Sequence, residues 1–283
     1  MNEIAIIGYF GWYGSMAEWI SDGFDKLGFK VIKYDRKLLP IIGSQHQLYL
    51  FVDCSEDYSS QIPKLDGLKV FWSMDSQMPG GIERSTNIAR KCDIVFCSNK
   101  EHGVNLLKKF GINSHLLPVT YNDYLIKNSD IRKDLDIVMI GHNNSSQRIK
   151  LFNLIKQYYP NSFVGRAEEK NEYMNSMCRA KIIINQPTEP FDNILNNRFF
   201  EAMASGALLL QKKLKTTLID DLGFVEEEHF IYWNNFNELF MLVEYYLRDE
   251  KSRLEITKKA YRDVQEYSMS NQCRKMIDII NKK

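Results

Sequence analysis

The chain has 283 residues, a formal net charge of +1, 44% hydrophobic residues and 26% charged residues. That length can bury two modest cores, and the composition is that of a globular protein rather than a disordered or fibrous one. The balanced charge excludes a molecule-wide field that would draw nucleic acid or an anionic membrane. Cys54, Cys92, Cys97, Cys178 and Cys273 are odd in number and lack C-x-x-C spacing, and nowhere do about 18 consecutive apolar residues occur. No disulfide framework, leader or membrane span is therefore expected, and the expected location is cytoplasmic.

In the first half, short apolar runs at Ile4–Ile7, Val31–Tyr34, Leu48–Val52, Val70–Ser73 and Ile94–Ser98 read as strands. Amphipathic stretches at Met16–Leu27, Ile82–Lys91 and Lys100–Phe110 read as the intervening helices. This alternation predicts a parallel sheet covered on both faces. His115–Leu117 is a last strand before Pro118, and the polar stretch Tyr121–Lys133 reads as a connection.

The pattern then restarts. Ile137–Ile140 is a strand, Gly141–Gln147 a polar turn, and Arg148–Tyr158 a helix with Leu151, Leu154 and Ile155 on one face. Further strands are expected at Phe163–Val164, Ile182–Ile184, Ala207–Leu210 and Phe230–Tyr232. Helices follow at Asn237–Leu247, near Lys251–Tyr267, and at Asn271–Ile280. Two such series predict an α/β protein of two Rossmann-like domains, with the ligand site in the cleft between them.

The stretch from Asn193 to Leu210 carries the most chemistry. It reads as polar loop, short helix from Asn197 or Arg198, a stop at Gly206 with positive φ, and a buried strand. Unpaired N–H groups at that helix start favour an anion, with Arg198 at the mouth and Glu201 one turn further in. An anion site with a carboxylate one turn away suits a nucleoside diphosphate, whose phosphates need donors and whose ribose hydroxyls need an acceptor. Arg148, opening the helix after Gly141, supplies a second guanidinium, and two or three charge-assisted hydrogen bonds could neutralise a departing diphosphate without a metal.

Other motifs carry competing readings. Gly8, Gly11 and Gly14 follow the first strand with GxxGxxG spacing, not GxGxxG, so close backbone packing is favoured over a dinucleotide cofactor. Gly11, Trp12, Tyr13 and Gly14 are candidate substrate contacts through sugar stacking, or else part of a core lid. Asp134-Leu135-Asp136 is formally a DxD but precedes a buried strand, so its acids are expected to face water rather than hold a divalent ion. The five histidines show no metal-ligand spacing, and no metal is expected. Asp75, just past the strand Val70–Ser73, reads equally as a turn aspartate or as a general base toward an acceptor hydroxyl.

Taken together, these residues resemble the GT-B glycosyltransferases, specifically the spore-maturation CgeB-like branch related to family 1 and family 4 transferases. The resemblance rests on Asp136 through Gly141 with Arg148; on Asn193 through Gly206 with its core Arg198-Phe199-Phe200-Glu201-Ala202; and on the tail from Asn237-Glu238-Leu239 through Tyr246-Leu247 to Tyr261. Phe71-Trp72-Ser73-Met74-Asp75 and Cys92 through Ser98 resemble the family's tryptophan–aspartate segment and the strand after it.

The resemblance implies a GT-B fold, with an amino-terminal acceptor domain over 1–120, joined by a last helix over 268–283, and a donor domain over 121–267. It implies a nucleoside diphosphate sugar as donor, a UDP-sugar first, and no separate cofactor. Arg148 and Arg198 would lie near the diphosphate, Asn193, Ile194 and Leu195 beside the donor sugar, and Glu201 at the ribose, with Gly141 and Asn197 as further donor-binding residues. Many relatives carry an acid eight positions before Glu201, where this chain has Asn193, with Glu189 and Asp192 nearby.

The expected activity is metal-independent transfer of a sugar to a hydroxyl on a glycan, a protein, a small molecule or a modified DNA base, with Asp75 as base if the reaction inverts. Two rival readings stand beside it: a phage-type transferase acting on a modified DNA base, and a catalytically silent sugar-nucleotide-binding protein.

Overall fold

The computed structural model describes residues 2–11, 15–41, 43, 45–52, 55–127, 131–142, 145–167, 169–187 and 194–282. Two compact units form, Met1–Val119 with Met269–Lys283, and Thr120–Ser268.

The first unit holds β1 (Glu3–Gly8), α1 (Met16–Lys26), β2 (Lys30–Asp35), β3 (Leu48–Val52), β4 (Leu68–Ser73), α2 (Gly81–Ala89), β5 (Ile94–Cys97), α3 (Asn105–Lys109) and β6 (His115–Leu116). Its strands run parallel in the order β2-β1-β3-β4-β5-β6. Every residue of β3 is buried, which explains why it reads as an unbroken apolar run: both faces of the sheet are covered. Ala5, Ile7, Phe51 and Phe71 pack with Ile88 and Leu107 in one core. At the end of β1, a Cβ on Gly8 would stand 2.6 Å from that of Ala17, so this glycine allows strand and helix to approach. The single helix expected over Lys100–Phe110 is split, opening with a π turn at Lys100–Val104 before α3. Gly103 and Val104, both weak helix formers, stand at that break.

The second unit holds α4 (Tyr124–Lys127), β7 (Leu135–Ile140), α5 (Ser146–Tyr158), β8 (Ser162–Gly165), α6 (Lys170–Arg179), β9 (Ala180–Asn185), α7 (Asn197–Ala204), β10 (Leu208–Lys212), α8 (Leu218–Asp221), β11 (Ile231–Trp233), α9 (Phe236–Arg248) and α10 (Glu250–Val264). Its parallel order is β11-β10-β9-β7-β8. Ile137 and Met139 of β7 pack with Leu151 and Ile155 of α5 and with Leu239 and Val243 of α9. The chain leaves β7 toward β8 on one side and leaves β9 toward β10 on the other. The carboxyl ends of β7 and β9 are therefore the topological switch point, where open α/β sheets form a crevice. The last helix, α11 (Met269–Ile280), returns to the first unit and packs on α1, with Met269 and Cys273 against Gly23.

The helix α6 was not expected from the sequence. Its run is largely polar, yet Tyr173, Met174, Met177 and Cys178 form a buried stripe at helical spacing. One ammonium group ties α6 to α7: Lys133 Nζ donates to the carbonyl of Cys178 at 2.6 Å and to that of Ser205, in the last turns of the two helices. A cation there meets orphan carbonyls and the negative ends of two helix dipoles. Lys133→Met is expected to lower stability by about 1–3 kcal/mol in urea denaturation. An unchanged midpoint would show that the ammonium contributes nothing.

Candidate functional site

The site is built at the carboxyl ends of β7 and β9. At the end of β7, Gly141 has φ +157°, and a Cβ there would fall 2.2 Å from Arg148 Nη2. The helix α5 is capped by Ser145, whose Oγ accepts from the Arg148 backbone N–H at 3.2 Å. The Arg148 side chain folds back over the strand end rather than extending into water. Its Nη2 donates to the Ile140 carbonyl at 3.2 Å, and its guanidinium lies 5.6 Å from the Phe152 ring centroid. Nε is buried and, among the described residues, has no hydrogen-bond partner.

Burial first, and the nearby charge of Arg198 second, push the Arg148 guanidinium down to about 10. Among the described residues no carboxylate offsets these two effects. Two cations thus converge in a partly desolvated place, an arrangement that an anion relieves.

The second guanidinium comes from α7. Asn196 stands at the N-cap but its side chain makes no cap bond; it pairs instead with Asn185, which also donates to Gln211 at 2.7 Å. Ile194 and Leu195 are buried, anchoring the chain just before the helix, and Asn197 is partly exposed. Behind the helix, Phe199 stacks edge-on with Phe224 and Phe230 at 5.3 and 5.2 Å, and Phe200 lies 5.5 Å from Tyr267. This aromatic packing fixes the helix axis, and with it the direction of Arg198. As expected, the helix stops at Gly206, which has φ +72°.

Arg198 Nη1 donates to Glu201 Oε2 at 2.7 Å and to the Tyr173 hydroxyl at 2.5 Å, while that hydroxyl donates to Glu201 Oε1 at 2.6 Å. Glu201, expected at the ribose, does not stand open to a ligand: the residue is 0% exposed, and both carboxylate oxygens are already engaged. Its place one turn inside the helix start turns it toward α6, which the sequence reading did not contain. Burial raises the Glu201 carboxyl above the usual carboxylate range against the opposing pull of Arg198 and Tyr173. Arg198, with 12% of its side chain exposed, is the member of the trio that reaches the surface. Sequence reading missed Tyr173; the apolar spacing of Tyr173, Met174, Met177 and Cys178 was the signal for it.

The remaining candidates separate clearly. Asp134 pairs with Arg179 at 2.7 Å and Asp136 with Lys181 at 2.7 Å, so both acids of the DxD are neutralised by cations. Among the described residues no group of three or more His, Cys, Asp or Glu could hold a metal ion. In the first unit Asp75 is exposed in the turn after β4 and accepts from Gln77 at 3.3 Å, over a buried cluster of Ser73, Ser76 and Ser85. Gly11 is exposed after β1. Trp12, Tyr13, Gly14, Glu189, Asp192 and Asn193 lie outside the described residues.

The family model described as "Glycosyl transferase-like" matches residues 130–278. Comparison with curated protein sequences finds no match. Among solved structures, Anabaena Alr3699/HepE in complex with UDP and glucose is similar at a TM-score of 0.69 and 12% identity, covering 100% of both chains. A T4 phage BGT mutant in complex with UDP-glucose gives 0.62 at 13% identity over 99% of each chain. A glycosyltransferase from Rickettsia africae gives 0.63 at 11% identity, over 99% of this chain and 98% of the other. At such identities the likeness is one of fold, the α/β GT-B fold of two Rossmann-like sheets.

Arg148, which has no counter-ion among the described residues, can be tested without a ligand. A cation whose folded-state pKa lies below its value in water costs stability at every pH where it stays charged, neutral pH included. Arg148→Met keeps the apolar stem and removes the charge. It is expected to raise the melting temperature of the ligand-free protein by about 2–4 °C, corresponding to the order of 1 kcal/mol in a chain of this size. A fall in melting temperature would mean that Arg148 is satisfied within the protein.

Proposed function

Because the chain belongs to the glycosyl transferase-like family, and is a glycosyltransferase by family and fold, we propose that its second unit holds a nucleoside diphosphate sugar, a UDP-sugar first. The sugar passes to a hydroxyl acceptor without a metal ion. One observation carries this reading: Arg148 is a buried-edge cation with no counter-ion among the described residues, placed beside Arg198.

A pyrophosphate supplies the missing negative charge to both guanidiniums. Each charge-assisted hydrogen bond contributes roughly 1.5–3 kcal/mol. The same donors offset the charge that grows on the diphosphate as its bond to the anomeric carbon breaks, the task a divalent ion performs elsewhere. Glu201 is proposed to accept from the ribose hydroxyls. A carboxylate has about four acceptor positions, and Tyr173 and Arg198 take only two of them. Nucleotide entry must therefore uncover this carboxylate.

UDP heads the donor choice because Anabaena HepE and the T4 phage enzyme are both seen with UDP or UDP-glucose. On the Arg198-Phe199-Phe200-Glu201-Ala202 core we place the chain in the CgeB-like branch, acting in the cytoplasm. Gly141, Asn197, Ile194, Leu195 and Asn193 complete the proposed donor contacts. Asp75 is the proposed base that takes the acceptor's proton in an inverting transfer, with Gly11, Trp12, Tyr13 and Gly14 as proposed acceptor contacts.

A thermal-shift screen with UDP, GDP, ADP and TDP sugars tests the donor. The cognate nucleotide at 100 times its dissociation constant should stabilise the protein by about 2.7 kcal/mol. Donor hydrolysis or transfer, assayed with glycan, protein, small-molecule and modified-DNA acceptors, is expected to persist in EDTA. Activity lost on chelation and restored by manganese would contradict the metal-free scheme. Tight UDP binding with no turnover on any acceptor would instead favour a silent binding protein.

A further inference from the structure

Tyr173 lies outside every motif that pointed to the donor site, yet it touches both charged residues of α7. Its hydroxyl donates to Glu201 Oε1 at 2.6 Å and accepts from Arg198 Nη1 at 2.5 Å, and Arg198 Nη1 closes the ring on Glu201 Oε2 at 2.7 Å. The Arg198 guanidinium also sits 4.9 Å from the Tyr173 ring centroid, and Met177, one turn along α6, places Sδ 3.4 Å from Arg198 Nη1. Tyr173 and Glu201 are both buried.

We propose that Tyr173 is a positioning residue of the donor site, holding Arg198 and Glu201 in the orientation that receives the nucleotide. The inference rests on the donor reading above and adds to it a residue from a different helix.

An arginine has several rotatable bonds, and fixing it for a ligand costs affinity unless the protein has already fixed it. Here the phenol supplies two constraints of different kinds. The ring face sets the plane of the guanidinium, and the hydroxyl sets its approach to the carboxylate. The hydroxyl also gives the buried Glu201 a donor, so the carboxylate keeps a fixed rotamer until nucleotide entry uncovers its remaining acceptor positions. Removing only the hydroxyl should leave the packing, the ring face and the Arg198–Glu201 ion pair in place while freeing Glu201 Oε1 and loosening the approach of Arg198.

The test uses calorimetry with UDP on the full chain, as wild type and as Tyr173→Phe, across the acid-to-neutral range. At neutral pH the variant is expected to bind UDP roughly 10-fold more weakly, the equivalent of one lost hydrogen bond, with its thermal unfolding still cooperative. Among the described residues, the charged and titratable groups acting on Glu201 are Arg198 on α7 and Tyr173 on α6. The Tyr173 hydrogen bond favours the ionised carboxylate. Its loss should therefore move the acid limb of UDP binding, where Glu201 takes up a proton, to higher pH.

A ring-fluorinated tyrosine at position 173 keeps the fold and strengthens the O–H donor, so it should move that limb to lower pH. A purely structural role would change the melting temperature and leave the limb in place. Affinity for UDP within twofold of wild type in a folded Tyr173→Phe protein, or an acid limb unmoved by either replacement, would overturn the assignment while leaving the donor reading intact. A wild-type chain that binds none of UDP, GDP, ADP or TDP would overturn the donor reading and the assignment together.

Discussion

The donor site depends on a cation that has no counter-ion among the described residues. Arg148 is bent over the end of β7, where it gains one carbonyl and one aromatic face and leaves Nε unsatisfied among the described residues. Proteins seldom keep such a group for stability, because burying a charge is costly unless it is paired. Several features of the fold serve to hold it there. The missing Cβ of Gly141 makes room for the guanidinium, the Ser145 cap starts α5 at the right residue, and the Ile140 carbonyl and Phe152 ring fix its plane. The energy withheld in the free protein becomes available to an anion, as expected of a preorganised binding site.

Arg198 reaches the same place by a different route. Its helix is braced from behind by a cluster of aromatic rings and tied at its last turn, with α6, by one lysine. The guanidinium is then held by Glu201 and Tyr173. Among the described residues one cation thus has no carboxylate partner, while the other is held by a carboxylate and a phenol. A diphosphate needs both properties: a strong unmet charge, and a donor whose direction does not change as the leaving group departs.

Much of this architecture was legible in the sequence. The strands could be read because their sheets are covered on both faces, so that Leu48–Val52 and Ile182–Ile184 are unbroken apolar runs. The short helix ending at Gly206 was legible because its punctuation is local. What escaped was tertiary. The polar run Lys170–Arg179 hides its four-residue buried stripe, so α6 was missed and Tyr173 with it. Helical spacing placed Arg198 and Glu201 together but said nothing about the helix that covers the carboxylate. The sequence placed Arg148 at the start of its helix, and only the geometry of Gly141 shows why its side chain turns inward. In the first unit, the π turn at Lys100–Val104 interrupts what periodicity reads as one helix.

The most direct measurement is calorimetric comparison of UDP with uridine, on the wild-type chain and on Arg148→Met. Two charge-assisted hydrogen bonds of about 1.5 kcal/mol each correspond to roughly 100-fold in affinity. The account predicts that the wild-type protein binds UDP at least that much more tightly than uridine, and that removing Arg148 lowers UDP affinity while leaving uridine unchanged. Equal affinity for the two ligands, or an Arg148→Met protein that still separates them as the wild type does, would contradict it.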